Sequence, residues 1–314
     1  MHILLITDNK YIMPTGVLMY SIGMNNKKNT NFHVVVDEGF TEKSKKTLRG
    51  IVDKFSNKIY FYEFPKDLVK QFPFGRENQP KQVSIATYYR LFAAEILPDN
   101  VHKVIYLDGD MIVRKSILPL WEIDLRGYAV GVVNDQNEKR HCDSNRLPYP
   151  MNTGYFNAGM LLINLDYWRE YKCLDLFMKF IEHNSAAILW HDQDVLNSVF
   201  YNKKKFVPLT YNFQDGFLFL SDRVEYKESI TEEIKKYEND PAIIHYTVIK
   251  PWKLSCFQPM CAVWRYYWRK TKWAKNRLDG EEDARNIKDW IRNILLRYNL
   301  FIPKDRYKRI ILRK

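Results

Sequence analysis

Two carboxylates separated by one glycine, Asp108-Gly109-Asp110, follow the apolar run Val104–Leu107. A short run rich in β-branched and aromatic residues that ends at a turn signal predicts a buried strand. The two acids would then lie just beyond its carboxyl end, where open α/β sheets bind ligands. Because neighbouring carboxylates repel each other without a cation, this pair predicts a Mg²⁺ or Mn²⁺ site shared with a phosphate. The simpler alternative is a solvated Asp-Gly turn.

Polar residues follow two other predicted strands. Asp8 and Asn9 come after Ile3–Ile6, on the same edge of the sheet, and could bind the base and ribose of a nucleotide or form an ordinary turn. His245 ends another apolar run, and Lys250 follows it closely. A histidine can complete a metal site begun by carboxylates, and a lysine can neutralise phosphates, although a lone histidine after a strand is usually structural.

Two further clusters are weak signals on their own. Asp192-Gln193-Asp194 opens a predicted helix, where acids are preferred as caps, and Asn157-Ala158-Gly159 reads as a turn or bulge before an apolar strand. No glycine-rich phosphate loop follows the first strand, which argues against dinucleotide-dependent redox chemistry and P-loop hydrolysis.

The elements that position these residues alternate between strands and amphipathic helices, which predicts an α/β fold with a mostly parallel sheet. The 314 residues allow one large domain or two smaller ones, and the 15% aromatic content favours a well-packed globule. Single helices are predicted at Ser84–Ile96 and Tyr167–His183, a loop at Phe72–Gln82, and a long irregular loop at Gln136–Thr153.

The sequence predicts no transmembrane helix, since it has no run of apolar residues long enough to span a bilayer. No signal-peptide pattern precedes the first strand, so a cytoplasmic location is expected. The four cysteines lack C-x-x-C spacing and are expected to be buried or free thiols rather than disulfides or zinc ligands.

The net charge of +12 is concentrated at the C-terminus, where residues 261–314 carry 16 Lys and Arg against 6 Asp and Glu. We divide the chain into a catalytic domain, 1–262, and a basic helical tail, 263–314. Apolar residues share one face of a predicted helix there: Ile287, Trp290, Ile291, Ile294, Leu295 and Tyr298. A basic amphipathic helix predicts peripheral attachment to an anionic membrane. A helix packed on the body is the alternative, and nucleic acid is disfavoured because the body has no basic face.

Together these motifs resemble the retaining glycosyltransferases of family 8, which include bacterial lipopolysaccharide galactosyl- and glucosyltransferases and, more distantly, glycogenin. The resemblance covers roughly residues 1–270. It rests on six ordered motifs: Asp8-Asn9, S-I-A-T-Y-Y-R-L at Ser84–Leu91, Y-L-D-G-D-M-I-V at Tyr106–Val113, F-N-A-G-M-L-L-I-N at Phe156–Asn164, H-D-Q-D at His191–Asp194, and H-Y…K-P-W at His245–Trp252.

The resemblance implies a GT-A type nucleotide-diphospho-sugar transferase fold, a UDP-sugar donor and a glycan or glycolipid acceptor. It implies Asp108, Asp110 and His245 as ligands of Mn²⁺, or of Mg²⁺. The implied donor-binding residues are Asp8, Asn9, Tyr11, Arg90, Asp108, Gly109, Asp135, Asn157 and Lys250. Asp192 and Gln193 would line the donor sugar as the catalytic pair, with Gln193 near the anomeric carbon.

One segment departs from the family pattern, which commonly reads H-Y-x-G-x-x-K-P-W. Here it reads H-Y-T-V-I-K-P-W, one residue shorter and without the glycine, with Val248 in its place. A glycine would offer a backbone N–H at close range to the diphosphate. Val248 puts that contact, and the reach of Lys250, in question.

An amide is a poor nucleophile, so Gln193 favours a same-face displacement through an oxocarbenium-like species, with Asp192 as the alternative nucleophile. Two other functions are alternatives to sugar transfer. A sugar-1-phosphate nucleotidyltransferase would share the sheet and the acids but should show a glycine-rich basic signature after the first strand. A non-catalytic nucleotide-sugar-binding protein would bind donor without releasing UDP.

Overall fold

The computed structural model describes residues 1–26, 29–64, 85–220, 226–254, 256, 258, 260–280 and 287–297. The predicted loop Phe72–Gln82 lies outside these residues. Among them, a seven-stranded sheet has the order β3-β2-β1-β4-β7-β6-β8, and a three-stranded sheet has the order β5-β10-β9. The strands are β1 (His2–Thr7), β2 (Asn31–Val36), β3 (Lys58–Glu63), β4 (Lys103–Leu107), β5 (Met111–Val113), β6 (Val130–Asn134), β7 (Phe156–Asn164), β8 (Lys204–Phe206), β9 (Phe213–Gln214) and β10 (Ile243–His245).

The large sheet is mixed and mostly parallel. Strands β1, β2, β3 and β4 pair in parallel, as do β6 and β8, whereas β7 runs antiparallel to both of its neighbours, β4 and β6. This arrangement confirms the predicted fold class. The central strand β4 carries Val104, Ile105, Tyr106 and Leu107, all buried because helices cover both faces of the sheet.

The helices lie on both faces of the sheet. They are α1 (Ile12–Asn25), α2 (Glu42–Asp53), α3 (Ala93–Ile96), α4 (Leu118–Trp121), α5 (Glu138–Asp143), α6 (Leu165–Glu170), α7 (Cys173–Asn184), α8 (His191–Val199), α9 (Gly216–Leu220), α10 (Glu228–Tyr237), α11 (Cys261–Trp268) and α12 (Ile287–Arg297). Short 3₁₀ helices occur at Ile85–Phe92, Met151–Thr153, Ser185–Ala187, Leu209–Tyr211 and Lys272–Lys275.

The start and the buried face of helix α2 follow directly from its sequence. The Thr41 hydroxyl accepts the Ser44 N–H and caps the first turn, and Leu48, Ile51 and Val52 form the buried face. Capping satisfies a helix N–H that would otherwise lack a partner, so the charged outer face of this helix does not prevent its formation.

Several predicted elements need correction. A single helix is predicted at Ser84–Ile96, but its described residues form a 3₁₀ helix at Ile85–Phe92 followed by the single turn α3. The helix predicted at Tyr167–His183 is divided into α6 and α7, because Lys172 adopts a left-handed backbone with φ +47°. The region Gln136–Thr153 is not irregular throughout, since it contains α5 and a 3₁₀ turn. Asn157-Ala158-Gly159 lies inside β7 rather than in a turn before it.

The small sheet brings the C-terminal half of the chain to the central strand. Strand β10 pairs antiparallel with β5, so that His245 lies opposite Met111, directly after the two acids. The Tyr246 N–H donates to the Asp110 carbonyl at 3.1 Å and extends this pairing. Two distant parts of the sequence are thus fixed in register with each other.

The first part of the predicted tail packs on the body. Trp264 and Trp268 of α11 are fully buried and belong to the same core cluster as Ile3 and Val17. Trp273 covers Gly16 so closely that a Cβ there would lie 2.3 Å from the indole ring. Helix α12 instead exposes Ile287 and Trp290, whose exposed fractions are 76% and 58%.

One expectation about the cysteines is wrong. Cys256 and Cys261 form a disulfide between the loop after Lys250 and the start of α11, whereas Cys142 and Cys173 are free thiols, as predicted. The five-residue separation of the bonded pair has no C-x-x-C signature, so the sequence pattern did not indicate it. Within the described ranges, no helix is long and apolar enough to cross a bilayer.

Candidate active site

Asp108, Asp110 and His245 converge at the carboxyl end of β4. One ligand atom from each lies within 4.8 Å of the others. His245 Nε2 is 3.3 Å from Asp110 Oδ1 and 3.9 Å from Asp108 Oδ2. Two hard carboxylate oxygens and one imidazole nitrogen are a suitable donor set for Mn²⁺ or Mg²⁺, so the side chains fit the implied divalent ion.

A supporting layer orients the histidine. The fully buried Asn212 accepts a hydrogen bond from the protonated Nδ1 of His245 through its Oδ1 at 3.0 Å, and this bond directs His245 Nε2 towards the carboxylates. The Asn212 amide also donates to Asn157 Oδ1 at 3.0 Å. No motif had indicated Asn212, and the two-residue strand β9 that follows it, Phe213–Gln214, has no apolar pattern that would have drawn attention to it.

Gly159 lies directly behind these ligands. A Cβ at this position would lie 2.3 Å from His245 Cε1 and 2.9 Å from Asp108 Oδ2, so no side chain fits there. The Asp108 N–H donates to the Gly159 carbonyl at 2.8 Å, which ties the acidic turn to β7. The sequence had indicated this glycine only as part of a turn.

Lys250 neutralises part of this acidic centre. Its ammonium lies 2.6 Å from Asp110 Oδ2 and donates to the Tyr246 carbonyl at 2.7 Å. Burial alone would raise the pKa of Asp110, but Lys250 and His245 outweigh it and hold that pKa well below its ordinary value. Asp110 is therefore a carboxylate in this structure, as a metal ligand must be.

Arg90 joins the acidic turn to the helix that carries the predicted catalytic pair. Its guanidinium lies 3.0 Å from Asp108 Oδ1 and 3.0 Å from Asp192 Oδ2, and it donates to the Ala158 carbonyl at 2.6 Å. Burial would lower the pKa of Arg90, but the two carboxylates outweigh it and raise that pKa. A planar cation with several donors suits this bridging position better than lysine would.

Asp192 is buried at the start of α8, facing Arg90. Burial raises the pKa of its carboxyl to about 7, with the Arg90 cation opposing the shift and the Asp108 carboxylate adding to it. At neutral pH this side chain therefore titrates, unlike the ionised Asp110. An acid of this kind is a weak candidate for a permanently charged nucleophile.

This pKa predicts a pH dependence of stability. Because the native state holds the Asp192 proton more tightly than the unfolded chain between about pH 4 and pH 7, unfolding becomes easier as pH rises through that window. The free energy of unfolding of the wild type should therefore fall relative to that of Asp192→Asn, by on the order of 2–4 kcal/mol. Urea unfolding of both proteins from pH 4.5 to pH 8 measures this difference, and a constant difference would contradict the assignment.

Gln193, Asp135 and Asn157 form one hydrogen-bonded group beside the acids. Gln193 Oε1 accepts the Ala158 N–H at 3.0 Å, and its amide lies 3.4 Å from Asp135 Oδ2. Asn157 donates to the same Asp135 oxygen at 3.0 Å. Burial would raise the pKa of Asp135, but His141, together with hydrogen bonds from the Asn157 amide and the Asn137 N–H, outweighs burial and lowers that pKa. The predicted sugar-lining residues are thus brought together, and their roles stay predictions.

Of the N-terminal residues predicted to bind the donor, Asp8 and Tyr11 lie at the site, whereas Asn9 contacts a neighbouring loop. Asp8 accepts the Tyr11 N–H at 2.7 Å, and burial followed by the Asp110, Asp108 and Asp8 charges raises the pKa of Tyr11. A Cβ at Gly109 would lie 3.0 Å from the Tyr11 ring, so that ring packs over the acidic turn. Asn9 has no such contact; its side chain bonds Gly39, Thr41 and Ser44 at the start of α2.

A second buried acid of helix α8, Asp194, lies at the rim of the site. It accepts two hydrogen bonds from Arg146, at 2.6 and 2.7 Å, and one from the Tyr155 hydroxyl at 2.6 Å. It also accepts the N–H groups of Leu189 and Trp190, at 2.8 and 2.7 Å. The sequence had predicted a helix cap, but this acid instead fixes the turn before α8.

The family model described as Glycosyl transferase family 8 matches residues 2–256. The chain belongs to glycosyl transferase family 8. This confirms the resemblance on which the sequence-based prediction rested and makes the chain a hexosyltransferase with a GT-A fold.

Several known proteins are similar to most of the chain. General stress protein A of Bacillus subtilis is 26% identical over 287 residues, covering 87% of this chain and 94% of its own. A lipopolysaccharide 1,2-glucosyltransferase of Escherichia coli K12 is 26% identical over 287 residues, covering 89% and 80%. The solved structure of the galactosyltransferase LgtC with donor and acceptor sugar analogs has a TM-score of 0.75 at 24% identity, covering 87% and 96%. This last likeness concerns the fold.

Proposed function

We propose that the protein transfers a hexose, galactose or glucose, from a UDP-sugar to a glycan or lipopolysaccharide-type acceptor with retention of configuration and with the help of a divalent cation. The observation that carries this proposal is the convergence of Asp108, Asp110 and His245 within 4.8 Å, with the Lys250 ammonium on Asp110. Family membership and the lipopolysaccharide glucosyltransferase relative support the acceptor class.

Asp108, Asp110 and His245 would hold Mn²⁺, or alternatively Mg²⁺. When bound, such an ion neutralises charge on the leaving diphosphate. Lys250 would add a positive charge beside the same phosphates, and Arg90 would hold Asp108 in place through its ion pair. Asp8 and Tyr11 would bind the uridine, with Tyr11 lying over the acidic turn.

The surroundings of Gln193 favour a same-face displacement. Its Oε1 already accepts the Ala158 N–H, and the Asp192 carboxyl is buried against Arg90. Neither side chain therefore offers a free charged oxygen to attack the anomeric carbon. In this mechanism the sugar–phosphate bond ionises first, the acceptor hydroxyl enters on the side UDP leaves, and a phosphate oxygen takes its proton.

The test is UDP release from UDP-galactose and UDP-glucose with Mn²⁺, with Mg²⁺ and with EDTA. We expect slow UDP release that requires the metal ion and accelerates with a glycan acceptor. A nucleotidyltransferase would instead form UDP-sugar and pyrophosphate from UTP and a sugar-1-phosphate. A non-catalytic binding protein would bind UDP-sugar and release no UDP. Either result would replace the proposal.

An exposed apolar rim supports a position for the acceptor. Leu189 and Trp190 precede α8 with exposed fractions of 62% and 47%, and Asp194 fixes their backbone. The Trp190 indole packs edge-on against His141 of α5, 5.4 Å between ring centroids. Along the same helix, a cavity of about 620 Å³ is lined by residues that include Glu138 and Tyr226. We place the acceptor sugars against Trp190, whose ring can cover the apolar face of a hexose.

Removing this ring should weaken binding of the acceptor but not binding of the UDP-sugar. For Trp190→Ala we expect the KM for a hexose-terminated acceptor to rise roughly tenfold, because apolar contact area is lost, while the KM for the UDP-sugar changes little. Trp190→Phe should recover most of the acceptor affinity. The control is Tyr171→Ala, which removes another exposed ring, from the turn between α6 and α7. Equal changes in both KM values for Trp190→Ala would contradict this position.

The C-terminal tail is proposed as a peripheral membrane anchor. Helix α12 exposes Ile287, Trp290 and Ile291, and beyond residue 260 basic residues exceed acidic ones by ten. An exposed apolar face within a basic segment favours the surface of an anionic bilayer. Because residues 261–280 contribute to the core, the anchor would begin after residue 280.

Deleting residues 281–314 should release the protein from vesicles that contain phosphatidylglycerol, while transfer to a water-soluble acceptor continues. We expect at least a tenfold loss of vesicle affinity, since both apolar and electrostatic attraction disappear. Vesicles of phosphatidylcholine alone serve as the control and should bind full-length protein weakly. Unchanged binding of the truncated protein in a co-sedimentation assay would show that the tail is not the anchor.

A further inference from the structure

Asp215 is a fully buried carboxylate that belongs to neither the predicted metal ligands nor the sugar-lining residues. It follows β9 directly, and its N–H donates to the His245 carbonyl at 2.9 Å. Within the described part of the chain, no Lys, Arg or His lies within salt-bridge distance of it. A buried acid without a direct ion-pair partner is costly unless hydrogen bonds satisfy it, so the hydrogen-bond donors around Asp215 indicate its role.

All these donors belong to the loop after His245 or to a side chain that holds this loop. Asp215 Oδ1 accepts the Thr247 N–H at 2.8 Å, the Thr247 hydroxyl at 2.7 Å and the Val248 N–H at 3.0 Å. Asp215 Oδ2 accepts the Gln258 amide at 2.7 Å, and the same amide donates to the Ile249 carbonyl at 3.0 Å. Every residue between Tyr246 and Lys250 is therefore connected to this one carboxylate.

These bonds account for the departure at Val248. The family pattern would offer a glycine N–H to the diphosphate here, but in this chain the N–H groups of Thr247 and Val248 both point to Asp215. The Val248 side chain is half exposed, so it does not fix the loop by packing. The N–H groups of Thr247 and Val248 are thus bonded inside the protein, whereas the Lys250 ammonium is directed towards the acidic centre.

We propose that Asp215 is a positioning residue that fixes the loop from His245 to Lys250 in its donor-binding shape before any donor arrives, so that diphosphate recognition by this loop depends on Lys250 and not on the N–H groups of Thr247 and Val248. This inference rests on the proposed UDP-sugar transfer. A loop that is already ordered costs no ordering free energy when the donor binds, so Asp215 acts on donor affinity.

Asp215→Asn tests the role of this carboxylate with little change in side-chain volume. The NH₂ group of the new asparagine would face the NH₂ group of Gln258, so two donors oppose each other. The three remaining hydrogen bonds would then be accepted by a neutral oxygen instead of a charged one. We expect the KM for the UDP-sugar to rise about tenfold while kcat changes less than about twofold, because the loop must then be ordered by the donor. Thr247→Val removes only the hydroxyl donor and should raise the same KM about threefold.

Val248→Ala is the matched control, because it keeps both N–H groups and removes only exposed methyl groups; its KM should equal that of the wild type. A donor KM within about twofold of wild type for a folded Asp215→Asn protein would overturn the proposal. A rise that also lowers kcat by the same factor would assign Asp215 to the transition state instead, and would overturn it as well.

Hydrogen exchange of the wild type keeps the test decisive if Asp215→Asn does not fold. In protein without donor, we expect the Thr247 and Val248 amides to be protected, and addition of UDP with Mn²⁺ to change them little. Unprotected amides that become protected only with UDP would show that the donor orders the loop. Failure of the wild type to bind UDP at all would refute the proposed function. The exchange rates measured without donor would still show whether the loop held by Asp215 is ordered in advance.

Discussion

Asp110→Asn should reduce metal-dependent transfer by at least about a thousandfold, since one ligand of the ion and its charge are lost together. The substitution is nearly isosteric, and Asp110 is almost fully buried between His245 and Lys250. UDP release measures the effect on turnover. Electron paramagnetic resonance of Mn²⁺ measures binding of the ion independently of the reaction.

Asp124→Asn is the control for this prediction. It makes the same chemical change at an exposed acid whose ion-pair partner is the exposed Arg126, so it should leave both turnover and Mn²⁺ binding unaltered. If Asp110→Asn kept more than about a tenth of the wild-type rate with Mn²⁺ present, the acidic pair would not be the metal site.

Arg90→Ala should lower the free energy of unfolding by about 3–5 kcal/mol, because it leaves the buried Asp192 without its cation. The guanidinium side chain is only 8% exposed and pairs with both Asp108 and Asp192. Activity should disappear as well, since Asp108 loses the partner that holds it. Urea unfolding without metal measures the stability effect separately from ligand binding.

The double variant Arg90→Ala with Asp192→Asn distinguishes charge from packing. Removing the uncompensated acid should recover roughly 1–2 kcal/mol of the lost stability and none of the activity. Arg126→Ala, at an exposed ion pair, should cost less than about 0.5 kcal/mol. A loss of less than about 1 kcal/mol for Arg90→Ala would mean that Asp192 does not depend on this cation.

The large sheet and the acidic turn could be predicted from local patterns. Strand β4 is a short apolar run, and Asp108 and Asp110 follow it, so their place at the sheet edge required only the parallel topology. The position of His245 was different. It depends on the antiparallel pairing of β10 with β5, and no local pattern specifies which distant strand a three-residue segment will join.

Residues that support the site were hardest to predict, because their roles depend on distances between distant segments. Gly159 is required by the approach of the His245 ring, and Asn212 matters only because that ring lies beside it. Asn9 shows the opposite error: its place after β1 suggested a nucleotide contact, yet its amide bonds the start of α2. The pairing of Cys256 with Cys261 likewise follows from how α11 packs, and spacing alone does not indicate it.

The contact between Lys250 Nζ and Asp110 Oδ2, at 2.6 Å, means that the resting protein supplies its own counter-ion. A divalent cation bound through Asp110 Oδ1, the oxygen that faces His245, would be repelled by this nearby ammonium, so the free ion binds against a tethered positive charge. A diphosphate that arrives with the cation offers the ammonium a new partner. Ion and nucleotide should therefore enter as one complex, and the enzyme should stay largely unloaded in a cell that holds abundant metal but little sugar nucleotide.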